Sequence, residues 1–350
     1  MSLGEPRTDV ALALRVIGRR TAVQRIVEAA WPAAPGPETI WPFDLPCPEL
    51  PDAVGSAATT SAELEAFRAR LAQWKTKIAN YKGYKLDLTR ANLQGADLSA
   101  KRPDASDAVF SGAILTGARL EGANLRQTRA EGAYALVARM EGATLEDARF
   151  DGAYLAWARM EGIHAKEARM RGAVLNDSEL NGAQLVKTRM EGAIFWGARM
   201  ECAELIEARM EGASLLTTGM EEANLRNARL EGSSLMGTQI DGAYLRQARL
   251  DGADIWEVQF ERVKGLEQAA ISDAAFRSVD LSEVAFSPVQ IASTFGDASV
   301  ELPSEMNWPA HWPKWDLSVT DGNLFEAEWR KWRAAPAAYV PPPPPGGTPN

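Results

Sequence analysis

Small residues recur at every fifth position through the middle of this chain. Ala108, Ala113, Ala118 and Ala123 open the series, and Ala193, Ala198, Ala203, Ala208 and Ala213 carry it towards Ala248 and Ala253. Two residues after each stands a larger apolar side chain, as at Phe110, Leu115, Leu120, Leu125, Met140, Leu145 and Phe150. A five-residue period matches neither the 3.6-residue α-helix nor the two-residue strand. It does match a coil of short straight edges and tight corners. In each five, two inward residues flank one outward residue, and the remaining two turn the corner. Four edges close a square coil of about 20 residues, and such coils stack at about 4.8 Å, the backbone hydrogen-bond spacing.

The strings Ala91-Asn92-Leu93-Gln94-Gly95 and Ala96-Asp97-Leu98-Ser99-Ala100, with Ala123-Asn124-Leu125 and Ala223-Asn224-Leu225, resemble the consensus of pentapeptide-repeat proteins. The resemblance spans roughly residues 86–288. It implies an all-β solenoid, the family's right-handed quadrilateral β-helix, flanked by α-helical and irregular segments at both ends. The register breaks at Lys101-Arg102-Pro103-Asp104, read as a bulging loop, and again after Phe260, where the centres move to Leu266, Ile271, Phe276, Leu281 and Phe286. About ten coils and a rod of about 45 Å follow at that spacing.

Glycine recurs every ten residues, from Gly112 through Gly132, Gly152 and Gly172 to Gly192, at the third position of a corner. That position takes φ > 0 in a type II turn. The intervening corners carry Gln127, Val137, Asp147, Trp157 and Glu167, which predicts two alternating turn types. Cys202 and Glu222 interrupt the glycines and predict altered corners. Met140, Met160, Met170, Met190, Met200, Met210 and Met220 all occupy centres and read as core filler. Ala130, Ala135 and Ala165 are undersized centres that predict looser packing.

The outward positions form four faces. One carries Arg129, Arg149, Arg169, Arg189, Arg209, Arg229 and Arg249 beside Glu131, Asp151, Arg171, Glu191, Glu211, Glu231 and Asp251. The opposite face repeats the pattern with Arg119, Arg139, Arg159 and Arg199 beside Glu121, Glu141, Glu161 and Glu201. Both read as solvated structural ion-pair ladders. A third face is apolar, and its candidate interface is Tyr134, Leu136, Tyr154, Ile194, Trp196, Leu216, Met236 and Trp256. Either a flanking segment lies over it or it is a surface for a partner. The fourth, with Asn124, Arg126, His164, Lys166, Asn224, Arg226 and Arg246, is mixed and polar.

The flanks divide at residues 1–85 and 289–350. Thr60 and Glu63 form a capping box, and Leu64, Phe67, Leu71, Trp74, Ile78 and Tyr81 follow at 3–4 spacing, so a helix over residues 61–81 reads as the N-terminal cap of the rod. Residues 8–31 read as a further helix with Val16, Val23, Ile26, Val27 and Trp31 as contacts, and the proline-rich residues 32–58 as an extended segment along the rod. Beyond Phe286 come five tryptophans, a short helix near Leu324 to Ala334, and a Pro-rich stretch read as unstructured after residue 336.

The net charge of −9 and pI near 5.1 weigh against nucleic-acid binding by bulk positive charge. No apolar run reaches the roughly 20 residues of a membrane span, and Val10–Leu14 is too short a run for a secretory leader. Cys47 and Cys202 give no disulfide framework, so a reduced, cytoplasmic setting is expected. No phosphate-binding loop or nucleophile elbow occurs, and His164 and His311 stand alone. No catalytic residue, cofactor or metal is called for. The expected function is a non-enzymatic scaffold or protein-protein interaction module with an unidentified protein partner, homodimerisation being left open. The resemblance adds two alternatives: a DNA-mimicking modulator of a type II topoisomerase such as gyrase, and an accessory module of a secretion or membrane complex.

Overall fold

The computed structural model describes residues 22–30, 32–50, 59–83, 85–99, 110–319 and 323–345. The insert at 101–104, the helix expected before residue 22, and Trp31 lie outside these residues. From Ile114 onward each edge residue bridges in parallel to the residue 20 positions later: Ile114 to Tyr134, Tyr134 to Tyr154, Arg139 to Arg159. The backbone closes around each bridge. Leu115 N donates to Tyr134 O (2.7 Å), Tyr134 N to Ala113 O (2.9 Å), and across the corner Ala133 N to Ala130 O (3.1 Å). A solenoid with its hydrogen bonds running coil to coil is the result. Its edges are one bridge wide. Among the described residues only Asp254–Trp256 (β1) and Ala275–Arg277 (β2) lengthen into paired parallel strands, so much of the rod is corner and not extended sheet.

Both register breaks have a structural counterpart. Asp87 bridges Ile114, Asn92 bridges Arg119 and Asp97 bridges Asn124, an offset of 27, or seven beyond 20. Later Arg249 bridges Ala270 and Asp254 pairs with Ala275, an offset of 21, one residue being absorbed at Gly265 (φ +80°) and the 3-10 turn Leu266–Gln268.

The inward residues form one continuous core from Leu86 to Val300, joined by Trp312. All seven centre methionines are buried in it. The undersized Ala130 lies between Phe110 and Phe150 of the adjoining coils, and only about 10 Å³ of void remains beside them. Aromatic neighbours in the same column therefore compensate the missing volume. At about 24 cal/mol per Å³ the loss is negligible.

The corners overturn the expectation of alternating turn types. Gln127 (φ +56°), Val137 (+49°), Asp147 (+57°), Trp157 (+56°) and Glu167 (+60°) adopt the same left-handed conformation as the glycines, and Cys202 (+57°) and Glu222 (+55°) are no different. The amide at this position donates to the next coil, as Val137 N does to Ala156 O (3.0 Å), so stacking imposes the conformation whatever the side chain. A non-glycine residue here sacrifices about 1–2 kcal/mol. The two glycine columns then have different explanations. A Cβ on Gly122, Gly142, Gly162 or Gly182 would meet nothing within 4 Å. A Cβ on Gly132, Gly152, Gly172, Gly192 or Gly232 would meet a side chain of the N-terminal flank.

That flank begins with α1 (Ala22–Ala30), whose Val23, Ile26 and Val27 are exposed and make little of the apolar contact expected of them. An extended segment, residues 41–50, then lies along the first arginine row. After it α2 (Ser61–Ala79), started by the Thr60–Glu63 capping box, runs back along the glycine column. Leu64 meets Gly232, Leu71 meets Gly192 and Gly172, Trp74 meets Gly152, and Ile78 meets Gly152 and Gly132. The helix is therefore a lateral strap and does not cap the end of the rod. Trp41, Phe43, Leu50, Leu64, Phe67, Leu71, Trp74 and Ile78 form a second core between strap and rod, separate from the axial one.

At the other end α3 (Pro288–Ala292) and Trp312 close the axial core. Helix α4 (Leu324–Ala334) packs Phe325, Trp329 and Trp332 on Phe295, Leu317 and Ala275 of the last coils. Two of the described residues beyond 336 are docked, contrary to the free tail expected: Tyr339 Oη donates to Glu328 Oε2 (3.0 Å), and Trp315 Nε1 to Pro342 O (2.9 Å). Arg333 of α4 also bonds Ser61 at the start of α2, joining the two flanks.

Gly172→Ala and Gly162→Ala separate the two glycine roles. Both bear the left-handed backbone, but only the first places a Cβ 2.9 Å from Leu71. Urea denaturation is expected to show a loss of about 1 kcal/mol for Gly162→Ala and a further ~1–3 kcal/mol of overpacking for Gly172→Ala. Equal losses would mean that α2 does not seat on the glycine column.

Candidate interaction surfaces

The first arginine row is not solvated. It lies beneath the extended segment 41–50. Arg129 donates to Phe43 O (2.7 Å) and Asp44 (3.4 Å), Arg171 to Pro48 O (2.9 Å), Arg209 to Leu50 O (3.5 Å) and Arg229 to Thr59 Oγ1 (2.9 Å). Glu49 places one carboxylate oxygen 3.4 Å from Arg169, 3.1 Å from Arg171 and 3.7 Å from Arg189. The prolines here supply carbonyls without amides, so arginine donors are the natural complement.

Beneath the arginines the acidic column is buried from Glu131 to Glu231. Glu191, Glu211 and Glu231 are 0 % exposed and bridge successive arginines: Arg209 reaches Glu191 and Glu211 (3.2 Å each), Arg229 reaches Glu211 (2.9 Å), and Arg249 reaches Glu231 (3.1 Å). Arg129 pairs with Glu131 (3.3 Å), Arg169 with Asp151 (3.3 Å) and Arg189 with Glu191 (3.1 Å), and Arg149 stacks in the same row. Arg171 replaces an acid in this column. It takes a bidentate hold on Asp151 (3.0 and 2.9 Å) while reaching out to the strap. Burial works against its charge, yet Asp151 raises its pKa overall.

The expectation of a solvated lattice therefore holds for one face only. On the opposite face Arg139 lies between Glu121 (3.1 Å) and Glu141 (3.3 Å), and Arg159 between Glu141, Glu161 and Glu179 (3.3 Å each), with side chains near half-exposure.

The strap leaves most of the apolar face uncovered. Ile194 stands beside Leu71 at the margin of α2. Tyr134 stacks on Tyr154 (5.0 Å, 9°) with the Lys85 ammonium over its ring (4.5 Å). Trp256 is covered from within the rod, with the Arg277 guanidinium of β2 4.0 Å above it and also over Phe325 of the C-terminal flank. Leu136, Trp196, Leu216 and Met236 share one corner column. Two residues not singled out from the sequence join it: Val137, 49 % exposed, and Trp157, 56 % exposed, beside Trp196 at 46 %. Coil-to-coil bonds align them, with Val137 N donating to Ala156 O, Gly197 N to Leu216 O and Thr217 N to Met236 O. Val137 and Trp157 are exposed because they occupy corner positions, and their size at a turn is visible in the sequence.

The two histidines are held in structural contacts. His164 Nδ1 lies 2.9 Å from Gln184 Oε1, and His311 stacks on Trp332 (5.0 Å) against Thr294 O. Burial pushes the Cys47 thiol up, away from a reactive thiolate. Among the described residues no group of His, Cys, Asp and Glu is placed to hold a metal, and no helix is long and apolar enough to cross a membrane. A cleft of about 650 Å³ opens between the start of α2, α4 and the last coils, with acidic and basic side chains intermixed.

With this geometry in hand, the chain matches the family model described as pentapeptide repeats in eight copies, over residues 104–134, 154–192, 178–216 and 220–256. The coiled region is a pentapeptide-repeat domain. Among solved structures it is similar to HetL, a pentapeptide repeat protein involved in heterocyst differentiation regulation in the cyanobacterium Nostoc sp., at 23% identity over 67% of this chain and 90% of that one (TM-score 0.33). It is similar also to QnrB1, a plasmid-mediated fluoroquinolone resistance protein, at 15% identity over 56% and 94% (TM-score 0.30). A pentapeptide repeat protein of the Arabidopsis thaliana thylakoid lumen matches at 24% identity over 31% and 68% (TM-score 0.20). No curated protein matches the chain.

Burial of the acidic column predicts a pH dependence. Burial, reinforced by Glu191 and Glu231 and opposed by Arg209 and Arg229, lifts Glu211 to about 7, and burial raises Glu131, Glu231 and Asp251 in the same direction. A carboxyl whose folded pKa exceeds its unfolded value contributes stability below the ordinary carboxylate range and loses it as pH rises through the folded value. The melting temperature is therefore expected to fall between pH 5 and pH 8. Glu211→Gln should flatten that slope, by at most about 3 kcal/mol across the interval. A slope unchanged in Glu211→Gln would remove this residue as its source.

Proposed function

We propose that this pentapeptide-repeat chain is a non-enzymatic docking module that seats a protein partner on the open apolar corner formed by Leu136, Val137, Trp157, Trp196, Leu216 and Met236. The observation carrying this reading is the exposure of Trp157 and Trp196 on a backbone whose corners from Gly112 to Gly242 are each hydrogen-bonded to the next coil. Exposed tryptophans on a rigid frame bury large area with little ordering on association, and such anchors dominate interface energies. Tyr134 and Tyr154 form the rim on the strap side, and Trp256, occupied by Arg277, marks the far limit. The right-handed winding that the family implies and the count of about ten coils that the five-residue period gives belong to the same proposal, as does a reducing, cytoplasmic setting, which suits the free Cys47 and Cys202.

The DNA-mimic alternative draws less support. Mimicry of a duplex requires a continuous negative surface, whereas one charged row lies under the strap and the open one alternates Arg139, Glu141, Arg159 and Glu161. The secretion-module alternative rests on no particular residue.

Trp157→Ser with Trp196→Ser in the full chain is the test, with Arg159→Ser and Arg199→Ser on the opposite face as control. Affinity capture from the native cell should lose its main partner at least tenfold in the tryptophan variant, from about 1.4 kcal/mol or more, and keep it in the arginine variant. Equal recovery from both would remove the corner from consideration.

A further inference from the structure

The strap touches the rod as a ligand touches a receptor. Among the described residues no backbone–backbone hydrogen bond joins residues 41–50 or 59–79 to the coils, so the strap contributes no backbone ladder to the solenoid. Its attachment comes from two kinds of contact. Residues 41–50 present the carbonyls of Phe43, Pro48 and Leu50 and the carboxylates of Asp44 and Glu49 to the arginine row. Helix α2 presses Leu64, Leu71, Trp74 and Ile78 into the glycine column.

The path is that of a folded clasp. Residues 43–50 reach from Arg129 to Arg209, Thr59 meets Arg229, and the helix returns from Gly232 to Gly132, so the strap begins and ends near the start of the rod.

We infer that the arginine row and the neighbouring glycine column together are a docking groove for an extended, acidic, proline-containing segment and an amphipathic helix, and that residues 41–50 and 59–79 of a second copy of this chain fit it as well as the resident ones do. Three observations point to this occupant. Arg129, Arg171 and Arg209 donate to the main-chain carbonyls of Phe43, Pro48 and Leu50, and Pro48 has no amide of its own to pair. Glu49 is held by Arg169, Arg171 and Arg189, a charge match at one residue. The column remains glycine at every coil from Gly112 to Gly252, although the left-handed corner conformation is borne elsewhere by Gln, Val, Asp and Trp. Exchange of the segment between two copies replaces each contact with its equal, as domain swapping requires.

The test uses the full chain and a fluorescent synthetic peptide of residues 41–79. In the protein, Leu71→Asp places a charge in the seat of Gly172 and Gly192 and leaves every arginine in place. Trypsin cleavage at Arg68, Arg70, Lys75 and Lys77 reports whether the resident strap is released, and circular dichroism reports the rod. The expected result is faster cleavage, an unchanged rod, and peptide affinity at least tenfold tighter for Leu71→Asp than for the unaltered chain. A peptide carrying Glu49→Arg should lose that affinity at least tenfold. At high protein concentration the variant, doubled with Leu64→Asp, should stay monomeric while the unaltered chain yields a dimer after unfolding and refolding. Three results would each overturn the inference: a strap that stays protected in Leu71→Asp and in the double variant, a released strap whose groove ignores the peptide, and equal binding of the Glu49→Arg peptide.

Discussion

The coil-to-coil hydrogen bond at the third corner residue governs the rest of the molecule. Once Gly132 N donates to Asp151 O and Val137 N to Ala156 O, each corner is held in the left-handed region and each edge is set one strand spacing above the last. The strain at Val137, Thr217 or Trp157 is small beside the bonds that require it, because each corner is clamped from both sides. A regular backbone then frees the side chains from any duty but packing and contact. Outward residues can be charged, aromatic or absent without disturbing the frame.

That freedom explains how one repeat pattern yields faces of different character. Arg129 and Arg139 hold equivalent outward positions, each beside a glutamate and followed by a glycine corner. The row of Arg129 is half-buried, with Arg129 and Arg209 under main-chain carbonyls, whereas the row of Arg139 meets water. The difference originates outside the repeats, in residues 41–79, which add a second apolar core on the flank of the rod. Burying Glu191, Glu211 and Glu231 would be costly for isolated charges. Here successive arginines bracket each of them, and the raised pKa of Glu211 records the part of that cost left uncompensated.

The axial core was legible in the sequence because it depends on a period: Leu115, Leu145 and Met200 are buried where five-residue spacing places them. The register shifts were legible for the same reason. Helix α2 and its capping box were visible too, but their location was not, since 3–4 spacing shows that one side of a helix is apolar and not what it meets. The conformation of Val137 and Trp157 was misjudged because intrinsic preference was given more weight than a hydrogen-bonded stack that overrides it. The residues named from the sequence as a candidate interface do not share one environment. Tyr134, Leu136 and Trp196 are half-buried or exposed on one side of the rod, whereas Trp256 is occupied by Arg277, an arrangement with no trace in local sequence.

The seat of α2 also sets how long such a helix can be. Seven helical residues advance about 10.5 Å and two coils about 9.6 Å, so side chains one heptad apart meet alternate glycines almost in step. Like the two scales of a vernier, they drift by about 0.9 Å per heptad, and a third heptad would bring the slip to more than half a coil. A helix lying straight on this corner must end or lean away before then, and α2 ends after 19 residues.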